Sequence, residues 1–198
     1  PRPQLVVEDD SRAAALEAFG LATGQPVLAL CPGAEFGEAK RWPAAHYAVV
    51  ADHMIRQGWQ VWIFGSAKDR PGGDEIRNAL IPGLREEVTN LAGETSMAQA
   101  IDLMSCASAA VSNDSGLMHV AAALAIPLVA VYGSTSPEFT PPLAEQVAIV
   151  RTGIDCSPCF ERTCRFGHYD CLRLLRPQMV LDALEQLVGV PAVLQEQD

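Results

Sequence analysis

The stretch Ser112-Asn113-Asp114-Ser115-Gly116-Leu117-Met118-His119-Val120-Ala121-Ala122-Ala123-Leu124 decides how this chain is read. Apolar, β-compatible Ala109-Ala110-Val111 precedes it, and Leu117, Val120, Ala121 and Leu124 recur at helical spacing, so it reads as strand, turn, helix. The turn falls on Asn113 to Gly116. Asp114 and Ser115 suit a helix N-cap, and Gly116 lets a ligand or a neighbouring backbone approach the first helical turn. Free N–H groups at such a helix start attract anions. An Asx-Ser-Gly turn is also an ordinary cap, so the rest of the chain must decide between cap and ligand site.

Outward from that stretch, apolar runs alternate with helical patterns. Upstream, Val27 to Leu30 reads as a buried strand stopped by Cys31-Pro32-Gly33, and Pro43 opens a helix whose buried face is Tyr47, Val50, Ala51 and Met54. Gln60 to Phe64 is a second strand, Asp74 to Leu80 a short helix broken by Pro82-Gly83, and Val88 to Leu91 a third strand. Thr95 or Ser96 caps a helix through Ala100, Leu103 and Met104. Downstream, Leu128 to Tyr132 and Val147 to Val150 are further strands, Met179 to Leu187 is a closing helix, and Val190 to Asp198 reads as a loose tail. At the other end, Ser11 to Phe19 forms a short amphipathic helix.

Strands alternating with helices imply an α/β fold with a doubly wound parallel sheet covered on both faces. In the order 3-2-1-4-5-6, strands one and four are neighbours where the winding reverses, and ligands bind beyond their carboxyl ends. That arrangement predicts that Pro32 to Arg41 and Asn113 to Gly116 meet in one crevice.

Composition narrows the function. With 198 residues, 49% hydrophobic and 19% charged, the chain supports one domain with a real core. A net charge of -10 argues against a nucleic-acid partner, because phosphate-backbone binders carry a basic footprint. Any anion site must be local. No apolar run is long enough to span a bilayer, and no basic-then-apolar leader opens the chain, so a cytoplasmic setting is expected. Cys31 and Cys106 sit in apolar contexts that suit buried thiols, in keeping with a reducing compartment. Pro1-Arg2-Pro3 resembles linker, which leads us to expect a fragment of a longer protein.

The first crevice loop, Cys31 to Pro43, lacks both GxGxxG and GxxxxGK[ST], against a nicotinamide dehydrogenase or a P-loop ATPase. Lys40 and Arg41 are adjacent cations just before a helix start, where they oppose the helix dipole unless an anion lies between; a solvated surface pair is the plain alternative. Trp42 reads as packing at the helix entry. Asp114 has three available roles: helix cap, acceptor for sugar hydroxyls, or catalytic carboxylate. His119, one turn on, either faces the same ligand or is satisfied under the sheet edge. Ser134 and Thr135 could donate hydroxyls or simply shape a turn. Cys156, Cys159, Cys164 and Cys171, with His168, approach a zinc-knuckle spacing without matching it, so zinc is kept only as an alternative reading. The same loop, overhanging the ligand side, brings Arg162 and Arg165 as acceptor-side candidates.

Pro32 to Gly37 ending in Lys40-Arg41-Trp42-Pro43, Leu91-Ala92-Gly93 before Thr95-Ser96, Asn113 to His119, and Val131-Tyr132-Gly133-Ser134-Thr135 together resemble the ADP-heptose:lipopolysaccharide heptosyltransferases of glycosyltransferase family 9. The Cys-Ser-Pro-Cys loop is similar to the heptosyltransferase II branch. The resemblance implies the Rossmann-like C-terminal, donor-binding half of a GT-B enzyme: residues 1–10 a linker remnant, 11–188 the nucleotide-sugar domain, 189–198 the tail, and the acceptor domain absent. It implies that Lys40 meets the ADP pyrophosphate, Thr95 lies by the adenosine, and Asp114, Gly116 and His119 contact sugar and phosphates, with Arg41 and Ser115 beside them. Glu35 and Phe36 depart from hydroxyl residues that the family places near phosphate.

The implied reaction moves heptose from ADP-heptose to the lipopolysaccharide inner core with inversion. Cations and helix N–H groups stabilise the departing ADP, and the other half supplies the base and the acceptor site. No metal and no cofactor are expected, and the whole enzyme has room for peripheral contact with the inner face of the inner membrane. Two rival readings are a sugar-nucleotide epimerase of related architecture and a zinc-stabilised interaction module.

Overall fold

Alternate residues of each strand face opposite sides of the sheet, and here both sides are apolar, which requires helices on each. The computed structural model describes residues 2–192 and has that arrangement. In chain order the elements are α1 (Asp9–Phe19), β1 (Val27–Cys31), α2 (Ala44–Arg56), β2 (Gln60–Ile63), α3 (Arg70–Ala79), α4 (Pro82–Arg85), β3 (Val88–Asn90), α5 (Met97–Met104), β4 (Ala109–Asn113), α6 (Gly116–Ala123), β5 (Leu128–Val131), β6 (Val147–Val150), α7 (Asp170–Arg173) and α8 (Pro177–Val188). Short 3₁₀ turns at Glu38–Lys40 and Ala67–Asp69 follow β1 and β2.

The six strands lie in the order β3-β2-β1-β4-β5-β6, as expected, and every described pair is parallel. The β1–β4 register sets Leu28 against Ala109 and Cys31 against Ser112, so the two strands end together. Leu28, Leu30, Val61, Val111 and Val129 point into one core with Tyr47 and Met54 of α2, Ile76 of α3 and Leu184 of α8. Val27, Ala29, Trp62, Ala110 and Leu128 point into the other, against Ala15 of α1, Leu103 of α5 and Met118 of α6.

Several boundaries differ from the sequence reading for identifiable reasons. Helix α3 begins four residues earlier than expected, because Pro71 occupies its first turn, where the missing N–H costs nothing. Pro82 likewise starts α4 rather than only ending α3. Helix α1 takes in Asp9 and Asp10, acidic residues favoured at a helix start, so the linker reading overran by two positions. Strand β4 runs on to Asn113, leaving Asp114 and Ser115 as the turn.

The supposed tail is also anchored at its start. Val190 and Ala192 are buried, His53 Nε2 lies 2.6 Å from the Pro191 carbonyl, and Gln178 donates to the Ala192 carbonyl. The rest of the expected tail lies outside the described residues.

Leu103, wholly buried against the second core, has no way to be truncated without a cavity. Leu103→Ala should cost about 2–5 kcal/mol in urea unfolding, whereas Ile81→Ala at an exposed site should change stability by less than about 0.5 kcal/mol.

Candidate functional site

The site begins with Asn113, the last residue of β4, which is fully buried and polar. Its Oδ1 accepts the Tyr47 hydroxyl at 2.9 Å and the Trp42 backbone N–H at 3.2 Å, while its Nδ2 donates to the Pro32 carbonyl at 2.5 Å. One side chain therefore ties the end of β4 to the loop after β1 and to the entry of α2. Trp42 is buried packing, as expected: its Nε1 donates to the Leu175 carbonyl and its ring meets Tyr47 edge-on. Burial drives the Tyr47 hydroxyl well above its ordinary pKa, so it stays a proton donor to Asn113. The sequence reading passed over Asn113 as a turn residue. An amide directly before the Asp-Ser-Gly turn, at the end of an apolar strand, was the available signal.

With those loops joined, Lys40 reaches Asp114. The ammonium lies 2.6 Å from Asp114 Oδ2, the lysine side chain 12% exposed and the aspartate 3%. Thr135 donates to the same carboxylate oxygen at 2.6 Å and Thr140 to the other at 3.2 Å. Thr140 is held in turn by Tyr132, whose hydroxyl donates to the Thr140 carbonyl. Burial, and then the Asp114 charge, raise the Tyr132 pKa and keep that donor protonated. A buried ion pair is worthwhile only if its remaining valences are satisfied, and here two hydroxyls complete the carboxylate. The ammonium retains donors for a further anion.

Asp114 is thus not a helix cap. Ser115 occupies the N-cap of α6 without a side-chain capping bond, its hydroxyl lying near Ser112 instead. The first-turn N–H groups of α6 stay available, and the space beside Gly116 is open. Helix α5, by contrast, is closed by a reciprocal pair between Ser96 and Gln99.

A cavity of about 590 Å³ spreads over these ends, bordered by Lys40, Thr95, Asp114, Ser115, Gly116 and His119. Six of the seven expected donor-site residues therefore share one hollow. Arg41 does not join them. It turns away, 3.6 Å from Asp69, into a neighbouring hollow of about 200 Å³ that also touches Gly33 and Lys68. Adjacent cations at the end of a 3₁₀ turn point in different directions, which charge counting along the sequence does not reveal.

Phe36, unmatched in the expected pattern, borders the large cavity, with the Lys40 ammonium 4.8 Å and the Arg162 guanidinium 5.2 Å from its ring centre. Arg162 thus lies near the cavity rim. Arg165 stacks over Phe166 instead and borders a small hollow among the cysteines. Ser134 is buried beside that hollow, and Thr135 serves Asp114. Among the described residues, no group of three or more His, Cys, Asp or Glu side chains could hold a metal ion.

Residues 1–170 match glycosyltransferase family 9 (heptosyltransferase). The chain belongs to glycosyltransferase family 9. This family 9 chain is 45% identical to lipooligosaccharide heptosyltransferase 2 of Haemophilus influenzae, with 95% of the chain and 56% of the relative covered. It is 45% identical to lipopolysaccharide heptosyltransferase 2 of Escherichia coli, with 94% and 53% covered. The solved structure of E. coli ADP-heptose lps heptosyltransferase II superposes with a TM-score of 0.84 at 44% identity, over 94% of this chain and 55% of that one. A family 9 glycosyltransferase from Veillonella parvula, 24% identical, shares the fold with a TM-score of 0.79, over 93% of this chain and 53% of that one. The chain spans about half the length of the curated relatives it matches. These relatives are heptosyltransferases, which leaves the epimerase and interaction-module readings without support.

Replacing Asn113 by Ala leaves the Trp42 N–H and the Pro32 carbonyl without their side-chain partner and the Tyr47 hydroxyl with only the longer contact to the Cys31 carbonyl, at 3.4 Å. Each buried unpaired group costs about 1–3 kcal/mol, so Asn113→Ala should lower stability more than Tyr47→Phe, as read by denaturant midpoints.

Proposed function

We propose that this chain binds the nucleotide-sugar donor of a heptosyltransferase, with ADP-heptose as donor and the lipopolysaccharide inner core as the acceptor of the whole protein. The observation that carries the proposal is the Lys40–Asp114 pair beside the open first turn of α6, within one cavity at the reversal of the sheet winding. An anionic diphosphate there meets the free valences of Lys40 and the helix N–H groups. Asp114 Oδ1, with only the longer Thr140 bond, retains capacity to accept a sugar hydroxyl.

Ser115, Gly116 and His119 flank the same position, and Thr95 lies on the side assigned to adenosine. Departure of ADP builds negative charge on its terminal phosphate, and fixed donors aimed there lower the barrier without reorganising. The acceptor hydroxyl must lose a proton to a base, which we assign to the acceptor half of the enzyme. Arg162, at the rim, faces the acceptor side. A lipid-linked acceptor would bring the whole enzyme to the cytoplasmic face of the inner membrane as a peripheral visitor; no described helix is long and apolar enough to cross a bilayer.

Calorimetric titration with ADP, UDP and NAD tests the reading. ADP should bind most tightly, and the 198-residue chain alone should bind it without transferring heptose. Lys40→Ala should weaken ADP binding by about 1–3 kcal/mol, roughly 5- to 150-fold, with a thermal melt run alongside because the change also leaves Asp114 unpaired. Unchanged affinity in a folded Lys40→Ala protein would remove Lys40 from the site.

A further inference from the structure

Among the described residues, Phe36 is a large apolar side chain that joins neither hydrophobic core, yet it stands half-buried in the wall of the donor cavity. A ring without a polar atom cannot bond a phosphate. What faces it is positive charge: the Lys40 ammonium lies 4.8 Å and the Arg162 guanidinium 5.2 Å from the ring centre. Both distances fall within about 6 Å, the range over which an aromatic face attracts a cation.

The two cations differ in what each has left to give. Lys40 is matched by Asp114 at 2.6 Å, so that pair carries no net charge. The exposed Arg162 side chain forms no ion pair with a carboxylate among the described residues. A diphosphate entering past Glu35 and Asp69 on the cavity walls therefore meets a neutral pair unless a second cation is brought to it. A guanidinium, with its planar fork of N–H donors, is well suited to that task.

Main-chain contacts fix Arg162 to the turn that carries Lys40. The Arg162 carbonyl accepts the Ala39 N–H at 3.1 Å, and the Ala39 carbonyl accepts the Ser134 N–H at 3.1 Å. Gly37 runs so close to Arg162 that a Cβ there would strike its carbonyl. The Tyr169 hydroxyl adds a further tie, donating to Glu38 Oε2 at 3.2 Å. The backbone thus delivers Arg162 to Phe36, and the ring decides where the guanidinium rests.

We propose that Phe36 is the positioning residue of the diphosphate site, its ring gathering the Lys40 ammonium and the Arg162 guanidinium so that the donor phosphates are held by two cations rather than one. This rests on the donor reading above, which requires Lys40 but neither Phe36 nor a donor-side role for Arg162. The rim arginine, read there as facing the acceptor, thereby gains a phosphate contact.

Calorimetric titration of the chain with ADP and with adenosine tests the arrangement. Phe36→Leu, similar in bulk but without a π face, should weaken ADP binding about 2- to 30-fold, while Phe36→Tyr should stay within about 2-fold of the unaltered protein. Adenosine affinity should not change in either variant. Arg162→Gln should weaken ADP binding to a similar extent and flatten its salt dependence, and the Phe36→Leu, Arg162→Gln double variant should lose less than the product of the single losses. Should Phe36→Leu fail to fold in a thermal melt, the exposed Arg162→Gln change carries the test by itself. Unchanged ADP affinity in folded Phe36→Leu or in Arg162→Gln would overturn the proposal, as would a Phe36→Tyr protein as weak as Phe36→Leu, or a fall in adenosine affinity that matches the fall for ADP. Lys40→Ala, run in parallel, separates the two readings: if it loses ADP while Phe36→Leu keeps it, the ring has no positioning role and the donor site stands.

Discussion

The contact on which the site depends is the meeting of Lys40 with Asp114, two residues 74 positions apart that come within 2.6 Å. Neither is favourable alone. A carboxylate only 3% exposed is costly unless matched, and an ammonium at the start of α2 opposes the helix field. Together, with two threonine hydroxyls, they form a neutral unit. The pair exists because β1 and β4 are adjacent, parallel and in register at their carboxyl ends, and because Asn113 binds the two loops that leave them. Sheet order, buried amide and ion pair are therefore successive consequences of one topology.

That dependence explains how much could be read beforehand. The strands themselves followed from apolar runs separated by helical periods, and their order was taken from the common doubly wound arrangement. The strands β1, β2 and β6 were recovered nearly to the residue. Helix starts were less legible where Pro and Gly cluster: Pro71-Gly72-Gly73 looks like a breaker but serves as the first turn of α3, because only position within a helix separates those roles. The anchoring of Val190 and Ala192 was invisible, since it depends on His53 and Gln178, far away along the chain.

That the candidate residues meet was legible, and their roles were less so. Lys40, Asp114, Ser115, Gly116, His119 and Thr95 all line one cavity, because topology alone decides which loops meet. Whether Asp114 caps its own helix or crosses to Lys40 is a choice of rotamer, and the partner that settles it lies in the 3₁₀ turn after β1. The same limit applies to Arg41: side-chain direction at the end of a 3₁₀ turn depends on Asp69, which itself caps the turn after β2 through Ser66. Local pattern identifies candidates; long-range pairing assigns their work.

An overall charge of -10 gives this local arrangement its significance. A strongly acidic protein repels a diphosphate at long range, so the affinity proposed for one would have to be generated within a Debye length, about 8 Å at physiological salt. Lys40, the N–H groups of α6 and Arg162 above Phe36 are the cationic or dipolar features gathered at this cavity, set against Glu35, Asp69 and Asp114 on its walls. With no net positive charge at the cavity, the proposed diphosphate binding would rely on fixed direction more than on field strength, and a loose Lys40 would forfeit it. Rigid support of the turn before Lys40 follows as a requirement. The Arg162 carbonyl on Ala39 and the glycine contact at Gly37 supply that support from the cysteine loop.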